Sequence, residues 1–183
     1  MGSQGVQDRD DMGWRDNSPN TGINMEYRDY QLEIIKQGTE IIRGSSLLYL
    51  AMEVRTGKNL TSFGICDNLK AKDVLFVTKK KAIEGIRSDY ASRSHPFTLE
   101  IINYESLHKV DSDIYYDVII CDEAHCMGAL GKPIKRTRQI CQLVRRHPCC
   151  LILLSGTPTP ESFSQMYHQV YSHPSNPFSE YKN

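Results

Sequence analysis

Apolar positions follow two periods along this chain, and the two alternate. Short apolar runs, each as long as a typical buried strand, stand at 45–52, 73–78, 98–102, 116–121 and 149–155. Apolar residues at helical spacing fill 28–43, 58–70, 79–92, 134–147 and 161–171, and a short helical turn follows 102. Strands that alternate with helices indicate βαβ units. We therefore expect a single α/β domain, a parallel β-sheet flanked by helices on both faces.

Residues 1–24 show neither period. They are rich in Gly, Asp, Asn and Ser and include Trp14, the one tryptophan of the chain. Such a segment buries too little apolar surface to fold by itself. We expect 1–24 to be a flexible tail or a segment added for expression, with no structural role for Trp14. The ordered domain is then expected to span 25–183.

Composition is that of a globular protein, with 39% hydrophobic and 24% charged residues among 183 and a net charge of zero. The chain has no apolar run of membrane-spanning length and no signal-like amino terminus, so we expect a cytoplasmic protein without a membrane partner. A neutral chain would contact nucleic acid only through local patches. The six cysteines form no CxxC pair, which favours small buried thiols over zinc or disulfide roles.

A phosphate-type turn, Gly57-Lys58, stands between the strand at 45–52 and the helix at 58–70. A phosphate loop needs backbone N–H groups at a helix amino terminus and a lysine that reaches the β and γ phosphates. Two positions depart from the usual pattern: Asn59 replaces the hydroxyl residue that binds magnesium, and Ala51 replaces the first glycine. Considered alone, this motif is weak evidence for a nucleotide site, and a plain turn is the better interpretation.

Two further polar elements follow apolar strands directly: Asp122-Glu123 after 116–121, and Ser155-Gly156-Thr157 after 149–155. The carboxyl ends of the strands are where an open α/β sheet binds its ligands. In phosphoryl-transfer sites one carboxylate holds the metal ion and a neighbour orients the attacking water. A solvated acidic turn is the alternative for Asp122-Glu123. Three such elements in this order indicate nucleoside triphosphate chemistry.

The ordered series of motifs resembles superfamily 2 helicases, most closely the nucleosome-remodeller-related branch and its phage and bacterial relatives. The motifs are YRDYQ at 27–31, the loop ending in Gly57-Lys58, FVTKKKA at 76–82, INYESL at 102–107, DEAH at 122–125 and LSGTP at 154–158. The resemblance covers about 25–171. It implies the first of two RecA-like P-loop domains, the ATP-binding part of a DNA-directed helicase or translocase.

The same resemblance implies ATP and Mg²⁺ as cofactors. It implies DNA rather than RNA as one partner and a second RecA-like domain, in cis or in trans, as another. The compact spacing of the motifs favours a bacterial or phage-infected cell. Because no second domain has a counterpart in this chain, we expect little or no ATP turnover from it alone.

Each motif residue also receives a role from the resemblance. Lys58 would bind the β and γ phosphates, Asp122 would hold magnesium, and Glu123 would act as the catalytic base. The other residues implied to bind nucleotide are Arg28, Gln31 (which would read adenine), Arg55, Thr56, Gly57 and Asn59. The residues implied to couple the nucleotide site to nucleic acid are His125, Ser155, Gly156 and Thr157. Those implied to follow the nucleic-acid backbone are Lys79, Lys80, Lys81, Tyr104 and Glu105.

Two other classes of protein compete with this interpretation. A catalytically inactive lone RecA-like module that binds nucleic acid or a protein partner is favoured by Asn59 and by the absent second half. A small P-loop phosphotransferase is disfavoured, because lid arginines and an acceptor pocket cannot be found beside DEAH and SGTP. An ordinary surface glutamine and a solvated helix start remain the alternatives for Gln31 and for 79–81.

The departure at Asn59 gives a first prediction. An amide oxygen is a longer, uncharged substitute for the hydroxyl that usually coordinates Mg²⁺, so nucleotide binding should be weakened and hydrolysis nearly absent. The Asn59→Thr variant is expected to raise nucleotide affinity or turnover, measured by calorimetric titration and phosphate release. A variant that gains in neither property would contradict this assignment.

Overall fold

The computed structural model describes residues 14–16, 26–111, 113–128, 132–159 and 162–178. The strands are β1 (Trp14–Asp16), β2 (Leu47–Ala51), β3 (Asp73–Thr78), β4 (Thr98–Asn103), β5 (Val118–Cys121) and β6 (Cys150–Ser155). The helices are α1 (Asp29–Ser45), α2 (Lys58–Leu69), α3 (Ile83–Ala91), α4 (Lys135–Arg146) and α5 (Ser164–Val170). Three short 3₁₀ turns cover Lys80–Ala82, Tyr104–Lys109 and Ala124–Met127.

Five strands form a parallel sheet in the order β4-β3-β5-β6-β2, as the alternating pattern predicted. The chain leaves β2 at one side of the sheet, crosses to β3 and β4, and returns through β5 to β6. Strand β5 therefore lies in the middle, and all four of its side chains are buried. A strand buried on both faces needs a continuous apolar run, which Val118–Cys121 supplies.

Helices cover both faces of this sheet, and each face has its own apolar core. On β3, Val74 and Phe76 pack with the cluster beneath α1, α2 and α3, whereas Leu75 and Val77 pack with the opposite cluster beneath α4 and α5. Adjacent residues of a strand point to opposite faces, so one apolar run serves both cores. None of the helices in the described part of the chain is long and apolar enough to cross a membrane.

Three residues of the predicted tail form a strand, which the sequence pattern did not predict. Strand β1 pairs with β4 in antiparallel fashion, with Trp14 opposite Ile101, and the Arg15 side chain forms an ion pair with Asp73. The backbone of Trp14 thus belongs to the sheet. Pairing with a sheet edge is made by backbone hydrogen bonds, so it does not require an apolar pattern in the added strand. The hydrophobic pattern of 1–24 therefore could not predict it. The other residues of 1–24 lie outside the described part.

The helix predicted over 79–92 begins later than its pattern suggested. Lys80–Ala82 forms a 3₁₀ turn, and α3 starts at Ile83. Lysines in the first turn of a helix interact unfavourably with the helix dipole, which is consistent with the position of Lys80 and Lys81 before α3. They stand instead directly beyond the carboxyl end of β3.

Candidate functional site

The polar motifs of the sequence meet at one edge of the sheet. Five parallel strands end there, at Ala51, Thr78, Asn103, Cys121 and Ser155. In the strand register Ala51 is directly opposite Ser155, and Thr78 is directly opposite Asn103. Parallel strands bring the residues after their carboxyl ends together, so motifs far apart in sequence become neighbours.

The loop at 52–57 joins β2 to α2 in a strained conformation. Arg55 and Gly57 both have positive φ, at 66° and 73°. The backbone angle of Gly57 favours glycine, and a Cβ there would lie 2.4 Å from Gln31 Nε2 and so would displace that amide. The Met52 N–H donates to the Ser155 carbonyl at 3.2 Å, and the Thr56 hydroxyl donates to the Glu53 carbonyl at 2.6 Å. The first bond holds the loop against the end of β6, and the second closes a turn within the loop.

Lys58, the first residue of α2, contacts both carboxylates that follow β5. Its Nζ lies 3.1 Å from Glu123 Oε1 and 3.5 Å from Asp122 Oδ1. Glu123 has φ of 52°, a left-handed conformation that is uncommon and costly for a residue other than glycine. The three predicted catalytic residues are thus brought together, with one cation between two anions.

Asp122 is buried, 5% exposed, and the core holds it from two sides. The Thr78 hydroxyl donates to Asp122 Oδ2 at 2.9 Å, and the Tyr104 hydroxyl donates to the Asp122 carbonyl at 2.7 Å. Tyr104 is itself only 1% exposed. Its placement corrects the role inferred for it: the ring supports Asp122 from inside the core and is not presented to nucleic acid. Thr78 lies within the motif at 76–82 but was given no role there, because its partner lies 44 residues away.

One oxygen of Asp122 suits a hard cation. Asp122 Oδ1 is buried and accepts no hydrogen bond from the described residues. No group of three or more His, Cys, Asp or Glu side chains within that part of the chain is arranged to hold a metal. Mg²⁺ fits this combination, because it binds through one or two carboxylates, keeps several waters and takes phosphate oxygens as further ligands.

The charges around Glu123 and His125 shift both pKa values downwards. Burial opposes ionisation of Glu123, but the hydrogen bond and charge of Lys58, with His125 and Lys79, lower the pKa of Glu123 below its ordinary 4.5. Burial, aided by the charges of Lys79 and Lys58, lowers the pKa of His125 below 6.5, although Glu123 and Asp122 act in the opposite direction. At neutral pH the site therefore contains an ionised glutamate and a neutral histidine.

The residues assigned to coupling form one hydrogen-bonded group. His125 Nδ1 lies 3.2 Å from the Ser155 hydroxyl, 3.5 Å from the Thr157 hydroxyl and 3.3 Å from Glu123 Oε2. The Thr157 N–H donates to the Ser155 hydroxyl at 3.1 Å. A Cβ on Gly156 would lie 3.4 Å from the Met52 carbonyl oxygen. The carboxylate turn, the end of β6 and the phosphate-type loop thus touch through this group.

Gln31 lies against the loop and is buried. Its Oε1 accepts from the Arg28 N–H at 2.9 Å, and its Nε2 donates to the Thr56 and Gly57 carbonyls, each at 3.4 Å. The Tyr30 hydroxyl also donates to the Thr56 carbonyl, at 2.9 Å. Gln31 and Tyr30 therefore brace the loop, and the Gln31 amide already has partners at both ends.

Asn59 turns toward α3. Its Nδ2 donates to Asp89 Oδ2 at 2.9 Å, while its Oδ1 is buried without a hydrogen bond. The hydroxyls of Thr61 and Ser62, the nearest alternatives along α2, donate to the carbonyls of Gly57 and Asn59. They are thus engaged within the helix. Asp89 is a partner that sequence reasoning missed, because its contact spans 30 residues.

The lysines after β3 differ in exposure. Lys80 and Lys81 are exposed, whereas Lys79 is half-buried and its charge acts on Glu123 and His125. Glu105 is exposed and forms an ion pair with Arg136 at 2.7 Å. A basic segment therefore begins beside the carboxylates and continues into solvent.

Comparisons with known proteins show the fold. No family model and no curated protein matches the chain. Solved structures do, among them the Sulfolobus solfataricus SWI2/SNF2 ATPase core in complex with dsDNA, at 13% identity over 85% of this chain with a TM-score of 0.67. Two Type ISP restriction-modification enzymes are also similar: LlaGI, as a nuclease-deletion mutant with a DNA substrate mimic, and LlaBIII bound to DNA. LlaGI is 16% identical (TM-score 0.52) and LlaBIII 17% (TM-score 0.51), each over 74% of this chain.

The chain spans only 37%, 18% and 13% of these three structures. At such identities the likeness establishes a RecA-like α/β domain, as predicted. It does not establish an activity, because one fold can host many functions.

The two pKa shifts predict how stability depends on pH. The folded state disfavours protonation of His125 and of Glu123, so the unfolded chain binds protons first as pH falls. The free energy of unfolding should decrease below pH 6.5 through His125, and again below 4.5 as pH falls through the pKa of folded Glu123. Urea titrations from pH 8 down to the acid-unfolding limit test this. The Lys58→Gln variant should show a weaker Glu123 component, and an unchanged acid slope would contradict the assigned cause.

Proposed function

We propose that this chain is the ATP-binding domain of a superfamily 2 helicase or translocase that acts on DNA, the first of two RecA-like domains. The observation that carries the proposal is the contact of Lys58, at the head of α2, with Asp122 and Glu123 after β5, where Asp122 retains an oxygen that accepts no hydrogen bond. This arrangement suits a triphosphate because it offers a cation, a metal-binding carboxylate and a second carboxylate within one small volume.

Each residue has a defined task in this scheme. Lys58 exchanges its carboxylate contacts for the β and γ phosphates, which bring comparable negative charge. Asp122, fixed by Thr78 and Tyr104, holds Mg²⁺, which when bound offsets charge on the transferred phosphoryl group. Glu123, ionised at neutral pH, orients the attacking water and accepts its proton.

His125, Ser155 and Thr157 are proposed to transmit the state of the nucleotide site. Their hydrogen bonds join Glu123 to the end of β6, so a change at the carboxylates alters the loop at 155–157. A second RecA-like domain, in cis or in trans, would close the site and supply the charge that stabilises the transition state. Gln31 would read adenine only by giving up its hydrogen bonds to the loop.

DNA is proposed as the track because the similar structures are complexes with DNA or a DNA mimic. The exposed Lys80 and Lys81 offer phosphate contacts at the same edge as the carboxylates. A bacterial or phage-infected cytoplasm remains part of the proposal.

A lone binding module without turnover is the second candidate. The observation in its favour is Asn59, which replaces a hydroxyl ligand and has its amide nitrogen bonded to Asp89. Both candidates bind nucleotide or DNA. DNA-stimulated phosphate release after addition of a second RecA-like domain separates them.

Nucleotide binding is the first test. Calorimetric titration of the full chain with Mg-ATP should show binding that Lys58→Ala weakens about 10-fold or more, since hydrogen bonds to charged groups are among the strongest. Lys70→Ala, just beyond the other end of α2, is the matched control and should bind as the parent does. Melting temperatures are compared first, because loss of Lys58 leaves two carboxylates unpaired. Equal binding by all three proteins would refute a phosphate role for Lys58.

DNA binding gives a separate prediction. Fluorescence anisotropy with duplex DNA at several salt concentrations should show weaker binding by the Lys80→Ala/Lys81→Ala variant. The slope of log K against log salt should fall by about 2, roughly one for each phosphate that the variant no longer neutralises. Lys70→Ala/Lys72→Ala removes the same charge at the opposite end of β3 and is the control. If both variants bind DNA equally weakly, or both bind it as the parent does, then 80–81 is not the binding segment.

A further inference from the structure

An exposed ion pair joins α4 to the turn that follows β4. The Arg136 Nη2 atom lies 2.7 Å from Glu105 Oε1, and the two side chains are 39% and 61% exposed. Ion pairs at such exposure contribute little to stability, because water screens the charges and ordering the side chains costs entropy. The fold therefore loses little when another anion replaces the Glu105 carboxylate.

This turn begins beside the segment proposed to contact DNA phosphates. Thr78, the last residue of β3, is directly opposite Asn103, the last residue of β4. Residues 79–81 follow the first strand and 104–109 follow the second, so the two segments leave neighbouring parallel strands at one edge of the sheet. The ion pair thus adds a guanidinium to an edge that already holds two exposed lysines.

The Arg136 guanidinium has a buried support besides its carboxylate partner. Its Cζ lies 5.7 Å from the centroid of the Tyr104 ring, within the range of a cation–π contact, and Tyr104 is buried. The next residue, Thr137, is buried as well, and its hydroxyl donates to the Met127 carbonyl at 2.7 Å. The core therefore fixes the first turn of α4 and holds the guanidinium at the surface.

The carboxylate partner is out of place in a segment expected to follow a nucleic-acid backbone. Glu105 by itself would repel a phosphate, since both are anions. A guanidinium, however, binds carboxylates and phosphates through the same N–H donors. Glu105 can therefore occupy Arg136 as an internal substitute for a phosphate.

We propose that Arg136 is a further DNA-binding residue, which contacts a backbone phosphate in the complex and Glu105 in the free chain. The phosphate displaces the carboxylate, and the Tyr104 ring keeps the guanidinium in place during the exchange. This inference rests on the proposed function, in which DNA is the track. Glu105 then weakens binding wherever no phosphate is positioned to replace it.

The test compares two chains that both lack the carboxylate. Fluorescence anisotropy with duplex DNA is measured at several salt concentrations for Glu105→Gln and for Glu105→Gln/Arg136→Gln. The single variant should bind more tightly than the parent, because its guanidinium no longer has a competing anion. The double variant should bind more weakly than the single variant. Its slope of log K against log salt should be smaller by about 1, roughly one phosphate contact.

A matched ion pair at the opposite edge of the sheet is the control. Asp73, the first residue of β3, pairs with Arg15 on β1. Asp73→Asn and Asp73→Asn/Arg15→Gln make the same changes in net charge, and the two should have equal salt slopes. The Glu105→Gln/Arg136→Lys chain should keep the larger slope, because a lysine also neutralises a phosphate. Melting temperatures of all variants are compared first.

The outcomes distinguish this inference from the proposed function. If neither the parent nor Glu105→Gln binds duplex DNA, the proposed DNA track is overturned and this inference with it. If the lysine variant at 80–81 binds more weakly but Arg136→Gln leaves the slope of the Glu105→Gln chain unchanged, this inference alone is overturned. It is also overturned if Arg136→Lys loses as much as Arg136→Gln, because the pair then only attaches α4 to 104–109. A gain from Glu105→Gln no larger than that from Asp73→Asn contradicts the competition by Glu105.

Discussion

The contact between Lys58 and the two carboxylates is the interaction on which the candidate site depends. A buried carboxylate such as Asp122 costs several kcal/mol in lost hydration unless charge and hydrogen bonds compensate it. Lys58, Thr78 and the register of the central strand supply that compensation together. The same lysine lowers the pKa of Glu123 through its hydrogen bond and its charge, and so favours the ionised form of Glu123. Under the proposed function, a polyphosphate would compete with the two carboxylates for this cation.

The sheet supplies the rigidity that such a cluster needs. Cys121 is buried on the central strand, and the Asp122 N–H donates to the Val77 carbonyl at 2.8 Å, continuing the pairing of β5 with β3. Tyr104 reaches the Asp122 carbonyl from the core beneath α4 and α5. Deviation begins only at Glu123, where the backbone turns into the left-handed region. The strained backbone is therefore at Glu123, the first residue that departs from the direction of β5. Backbone strain of this kind is common at functional sites.

The similar structures are evidence for the fold, whereas the geometry of the site is evidence for the function. Likeness at 13–17% identity establishes architecture, and RecA-like architecture hosts more than one activity. What argues for nucleotide chemistry is the chemistry of the strand ends: an Asp122 oxygen that accepts no hydrogen bond, a strained Glu123 and a glycine with positive φ. What argues against efficient hydrolysis is Asn59, whose amide nitrogen donates to Asp89 on α3. The chain thus combines a phosphate-type loop with an amide, Asn59, at the position where the proposed function would place a metal-binding hydroxyl.

The sequence by itself determined the parallel α/β sheet, the order of its elements and the positions of Lys58, Asp122, Glu123 and His125. These follow from local periodicity and from short motifs, which need no knowledge of distant partners. Tertiary structure alone decided that Tyr104 is buried, that Trp14–Asp16 joins the sheet edge, and that Thr78 and Asp89 contact Asp122 and Asn59. Each of these depends on strand pairing or helix packing between residues at least 18 positions apart. No local pattern records such a contact, because the free energy that selects it comes from burial and hydrogen bonding in the assembled fold.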